Sequence, residues 1–175
     1  MATFGNSTGA NNGYIYNNPD YTAVKITTIL PVSVVSMTAL VRKYGASGLP
    51  VAAKAAIWDS NLNVVSNSVG PETTFNYIDY TWHTLATYST KPILQGGSVY
   101  WIGFAGWSVD PNIRVAYTTS TSNSYIIKTE GDYTNIGSLS GGSESTNTDY
   151  LLIYITVEEY NPNIVNKLNI SDTWK

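Results

Sequence analysis

At 175 residues the chain is the size of one domain and long enough to bury a core without covalent staples. It has no cysteine, which excludes disulfides, thiol catalysis and cysteine-ligated metals. Only 12% of residues are charged, the net charge is −3 and no basic cluster stands out along the chain, so no nucleic-acid partner is expected.

Residues 1–20 are polar and turn-rich, punctuated by Asn11-Asn12-Gly13 and Asn17-Asn18-Pro19-Asp20, with a short strand at 14–16. The first six residues carry neither a basic n-region nor an apolar h-region, so no signal peptide is expected. No apolar run approaches the ~18 residues of a membrane span, and no membrane partner is expected. Residues 21–30 read as a strand that Pro31 ends or bends, because proline brings no ladder donor. Residues 32–43 alternate, with Val35, Met37, Ala39 and Val41 on one face and Val34, Ser36, Thr38 and Leu40 on the other. That period of two predicts a half-buried antiparallel strand.

Residues 51–58 form the next predicted strand, bracketed by Gly48-Leu49-Pro50 and Asp59-Ser60-Asn61, and residues 62–69 another. Residues 70–80 read as an aromatic-rich loop and 82–88 as a strand. Residues 98–107, Ser-Val-Tyr-Trp-Ile-Gly-Phe-Ala-Gly-Trp, are the densest β-forming run and follow the Gly96-Gly97 turn. Branched and aromatic side chains at 99–102 fit a pleated, half-buried surface far better than a helix. Shorter strands are predicted at 113–118 and 125–128, then a long Gly/Ser/Thr/Asn loop at 131–147. A final strand at 150–157 is apolar on one face through Leu151, Ile153, Ile155 and Val157. Eight to ten short strands with no convincing helix predict an all-β domain, a two-sheet sandwich or a closed barrel.

Several stretches then line up in order. They are Thr3-Phe4-Gly5-Asn6-Ser7-Thr8, Ala55-Ala56-Ile57-Trp58-Asp59-Ser60, Tyr80-Thr81-Trp82-His83-Thr84-Leu85, Val99-Tyr100-Trp101-Ile102-Gly103-Phe104, and Asp149-Tyr150-Leu151-Leu152-Ile153-Tyr154-Ile155. Over residues 3–157 the chain resembles a jelly-roll sandwich module of phage virion proteins and bacterial surface or glycan-handling proteins, similar in architecture to carbohydrate-binding modules. The segment from Ile164 to Lys175, with Val165-Asn166-Lys167 and Asp172-Thr173-Trp174-Lys175, resembles the "VNKxxIGDTWK" tail of phage structural proteins, with Ser171 where that pattern has glycine. The resemblance implies a two-sheet antiparallel jelly-roll β-sandwich at 1–160, a C-terminal extension or attachment tail at 161–175, and a virion component assembled in a host cytoplasm.

Candidate chemistry is sparse. The sole histidine, His83, sits in a strand with no adjacent partner for base catalysis. The carboxylates are scattered, and none is nominated as the pair a glycosidase needs. No catalytic residue and no cofactor is expected. Loop oxygens near Asp59-Ser60-Asn61 or Glu130-Gly131-Asp132 offer a place for calcium but match no calcium-loop motif.

Five Trp and 14 Tyr are the remaining signal, since sugar rings stack on aromatic faces and both residues dominate interfaces. Trp58, Trp82 and Trp101 fall in strands, as core or sheet-face residues. Trp107 beside glycines is the leading candidate for a glycan-stacking ring, with Tyr77 and Tyr80 behind it. In the tail, Ile164, Val165, Leu168 and Ile170 are too apolar for a solvated linker. They predict an assembly anchor with Trp174, packing on a sister subunit or another virion protein.

The function read from these features is a non-enzymatic virion protein on the particle exterior: capsid decoration, head fibre or tail-associated. A homo-oligomer, a trimer before others, is the expected state. A carbohydrate-binding adhesion module for host-surface glycan is the second reading and a glycan-active enzyme the third.

Overall fold

The computed structural model describes residues 1–9, 13–17, 21–45, 50–107, 112–119, 125–128, 133–145 and 149–160. Among these, the regular structure is all strand: β1 (Ala2–Gly5), β2 (Gly13–Asn17), β3 (Tyr21–Thr27), β4 (Val32–Tyr44), β5 (Val51–Asp59), β6 (Glu72–Phe75), β7 (Thr81–Thr87), β8 (Ile93–Leu94), β9 (Val99–Trp107), β10 (Asn112–Thr119), β11 (Tyr125–Lys128), β12 (Ser143–Ser145), β13 (Asp149–Leu151) and β14 (Ile153–Glu159). They form two antiparallel sheets of eight and six strands, stacked as a sandwich and compatible with a jelly roll.

The larger sheet is organised around β4. Its one edge pairs with β7 and β8, and its other edge is shared by β14 along the first part and β10 along the last. β1 lies outside β14 and β2 outside β10. The last strand changes partner at Leu152, whose carbonyl accepts from Leu40 N–H and whose N–H donates to Ala116 O. The smaller sheet runs β12-β11-β3-β9-β5-β6.

The main core lies between the sheets. Met37, Ala39, Val41, Ile153, Ile155 and Leu85 meet Val24, Ile26, Ala55, Ile57, Ile102 and Phe104, all buried. Each large aliphatic or aromatic side chain removed from water here contributes about 1.5–3 kcal/mol. The predicted inward set of β4 needs one correction. Val157 pairs with Val34 while Thr156 pairs with Ser36, so Val35 is the extra residue of a β-bulge. The bulge reverses parity, and Val34 turns inward in place of Val35, which is only half-buried.

The run in β9 is buried on both faces, beyond the half-burial its composition suggests. Tyr100, Ile102 and Phe104 enter the main core, and Trp101 and Ala105 enter a second cluster on the outer side of the small sheet. There Tyr21, Ala56, Trp58 and Trp101 are covered by Tyr133, Ile136 and Leu139, from the stretch that the sequence presents as a long polar loop. Trp58 Nε1 donates to Gly137 O at 2.8 Å, Gly137 N–H donates to the Tyr21 hydroxyl at 3.2 Å, and Ser138 Oγ and Leu139 N–H both donate to Leu62 O at 2.9 Å.

Other expectations shift as well. Residues 62–69 hold one isolated bridge, Trp58 to Val64, and positive φ at Leu62 and Asn67 breaks the predicted strand. The 70–80 loop contains β6, and the polar N-terminus contributes β1. The glycines in two of the resemblance motifs have packing reasons. Gly5 has φ of 100° and a side chain there would strike Ile153 O, while one at Gly103 would strike the β3 backbone at Thr22 and Ala23.

Candidate functional site

The outer face of the large sheet carries the side chains that alternate with the core set. On β4 these are Leu40, Arg42 and Tyr44, opposite in direction to Ala39, Val41 and Lys43. Register then gathers the rest. Arg114 of β10 stands directly across from Arg42, and Tyr14 of β2 pairs with Ala116, one outward position further along β10. Trp82 of β7 stands across from Leu40, and Tyr154 of β14 across from Thr38. Trp82 and Tyr154, on opposite sides of β4, meet edge to face at 5.4 Å between ring centres.

Two arginines side by side on neighbouring strands repel. Tyrosine rings offset that cost. The Arg114 guanidinium carbon lies 3.2 Å from the centre of the Tyr44 ring and 3.7 Å from that of Tyr14. Arg42 lies 4.8 Å from the Tyr80 ring and about 6 Å from Tyr44 and Tyr14. The face of an aromatic ring is negative and attracts a cation, more strongly where water is excluded. Arg114 is 4% exposed, yet Tyr14 and Tyr44 above it are 41% and 46% exposed. Burial raises the Tyr80 hydroxyl above its usual pKa, against the opposing attraction of Arg42 and Arg114. The phenol therefore stays protonated beside the arginines and available as a donor.

Tyr77 and Tyr80, two of the predicted ligand-binding residues, lie in different surroundings. Tyr80 joins the arginine cluster. Tyr77 instead sits at the opening between the sheets, stacked on Phe75 at 6.1 Å and edge-on to His83 at 5.6 Å. Trp107 ends β9 in the other sheet, where its backbone pairs with Ala52; its ring falls outside the described residues. Ile164, Leu168, Ile170 and Trp174 also lie outside them. Tyr14, Arg42, Tyr44 and Arg114 escape a reading by sequence. Continuing the β4 alternation past Leu40 would have put Arg42 and Tyr44 on the outer face, but only strand register brings Arg114 and Tyr14 to them.

His83 Nε2 lies 3.1 Å from Thr73 Oγ1, with Phe75 5.0 Å away, and burial lowers its pKa below 6.5. Asp59 Oδ1 accepts the N–H groups of Asn61 and Asn63, an Asx turn. Glu130-Gly131-Asp132 lies outside the described residues. Among the described residues no three acidic or histidine side chains come together as a metal site.

No family model, curated protein or solved structure matches the chain.

Proposed function

We propose that the chain is a non-enzymatic structural protein of a phage virion exterior, a capsid decoration, head-fibre or tail-associated component, docking through the outer face of its large sheet. The carrying observation is the contrast between the two outer faces. The small sheet covers its Trp58 and Trp101 with its own residues 133–139. The large sheet leaves Tyr14, Tyr44 and Trp82 partly exposed around two arginines. Tyr, Trp and Arg are the residues that anchor protein interfaces, and low surface charge lowers the desolvation cost of packing against identical copies. The sequence motifs described above supply the virion context. Mass spectrometry of purified particles assembled with the wild-type chain or with Tyr44→Ala/Trp82→Ala tests the reading. Wild-type chain in regular copy number and a depleted variant are expected; particles without the wild-type chain overturn it.

A second reading, a carbohydrate-binding adhesion module, is favoured by one observation. The Tyr14 and Tyr44 rings are half-exposed and held rigid by Arg114, as a stacking surface for a sugar requires. In this reading the platform replaces Trp107 as the stacking site. Binding of the wild-type chain on a bacterial-surface glycan array, lost in Tyr14→Ala/Tyr44→Ala, is the outcome that selects it.

A further inference from the structure

On the outer face of the large sheet, β4 sets its outward side chains in a row. Leu40, Arg42 and Tyr44 alternate with inward residues, so successive members stand about 7 Å apart. Trp82, 38% exposed, stands across from Leu40 at one end of the row. Tyr44, 46% exposed, forms the other end. The order along the row is therefore aromatic, cation, aromatic, over about 14 Å.

Arg42 is the cation that this row presents. Arg114 is buried against Tyr14 and Tyr44. Arg42 is half-buried, and its Nε makes no hydrogen bond. Among the described residues the ion pairs are Lys25–Glu144 and Lys91–Glu158, and no carboxylate is paired with Arg42. The Tyr80 ring lies 4.8 Å from its guanidinium, and a ring attracts a cation without neutralising it.

We propose that this row binds an acidic glycan, a saccharide whose rings carry carboxylates, with a carboxylate on Arg42 and sugar faces on Tyr44 and Trp82. This assignment rests on the carbohydrate-binding reading of the platform and adds the class of sugar. The guanidinium is a planar fork that matches a carboxylate. A uronic acid holds its carboxylate on a rigid ring with an apolar face, so one ligand meets both the cation and the exposed aromatic beside it. A neutral sugar leaves Arg42 without a counter-charge. An acidic peptide carries its carboxylate on a rotatable stem, brings no rigid ring to Tyr44 and Trp82, and costs side-chain entropy to order.

Isothermal titration calorimetry of the full-length chain tests this, with oligomers of galacturonate, glucuronate and mannuronate, each beside its methyl ester. The ester keeps the ring faces and removes the charge. The wild type is expected to bind at least one acid about tenfold or more tightly than its ester, because hydrogen bonds to charged groups are the strong ones. That margin shrinks as salt is raised. Arg42→Gln, folded by circular dichroism, binds acid and ester alike, and Tyr44→Ala/Trp82→Ala weakens both. Equal binding of acid and ester by the wild type overturns the acidic assignment and leaves the carbohydrate reading standing. A margin that survives Arg42→Gln overturns it as well. No binding to any of these oligomers overturns the proposal, and the glycan array decides separately whether the carbohydrate reading falls with it. A poly-glutamate peptide bound as tightly as the best acid also overturns it, assigning the row to a protein partner.

Discussion

Arg42 and Arg114 face each other across β4 and β10, and the guanidinium of Arg114 lies between the rings of Tyr14 and Tyr44. The repulsion of like charges at paired positions is offset there by the aromatic faces that lie against each cation. The pairing also rigidifies the rings, since a tyrosine held against a buried cation loses little further freedom on meeting a partner.

That arrangement predicts an unequal response to removing each arginine. Arg114→Ala leaves two rings without their filler and costs about 1–3 kcal/mol. Arg42→Ala costs less, because its ring contacts, at 4.8–6.0 Å, are longer than those of Arg114, while the relief of repulsion is common to both substitutions. A Tyr44→Ala/Arg114→Ala double-mutant cycle in urea gives a coupling of about 0.5–2 kcal/mol. Additive effects would show that the stack contributes nothing.

The bulge at Val35 makes a sharper prediction than burial of β4 in general. Val34→Asp places an unpaired carboxylate in the main core and destabilises by several kcal/mol, as does Met37→Asp. Val35→Asp, one residue away and half-buried, costs much less. If thermal melts rank Val35→Asp with or below Val34→Asp in stability, the parity reversal is wrong.

Much of this fold is legible in the residues. The apolar set Leu151, Ile153, Ile155 and Val157, the inward Met37, Ala39 and Val41, and the β9 run each declare themselves by local pattern, and each is buried. Val35 misleads because a bulge is fixed by the partner strand and not by the residue that bulges. β1, β6, β8 and β12 are short strands whose order comes from the ladders beside them, so their own composition carries little signal. Trp58 and Trp101 show where they point only once residues 133–139 are laid over them. The arginine–tyrosine cluster is the least legible feature, since three strands must be in register before its members meet. Tyr77 and Tyr80, neighbours in sequence, end in different surroundings because the chain between them turns into β7.

The cover on the small sheet predicts a local effect. Trp58→Phe preserves most of the apolar contact but deletes the donor to Gly137 O, stranding a part-buried carbonyl at a cost of about 1–3 kcal/mol. Hydrogen exchange should accelerate at Gly137 and Leu139, whose N–H groups are held by Tyr21 and Leu62, before it accelerates in β4. Uniform acceleration throughout the chain would mean that the cover and the sandwich open as one unit.

His83 predicts the pH dependence. Burial beside Phe75 and Tyr77 disfavours the imidazolium and lowers its pKa in the folded chain below the 6.5 of an unfolded one. Between those two values the unfolded state binds the extra proton, so stability rises with pH there. The contribution of a neutral His83 is therefore complete above about pH 6.5 and declines as pH falls through the window below it, levelling off beneath the folded pKa. Lys43 Nζ donates to Asn76 Oδ1 at 2.7 Å beside this opening. His83→Gln keeps a polar group beside Thr73 Oγ1 and removes the titration. Urea unfolding from pH 4.5 to 7.5 should show a wild-type stability that falls on the acid side more steeply than that of His83→Gln. Parallel profiles for the two proteins would place the acid sensitivity on the carboxylates and leave His83 with a packing role alone.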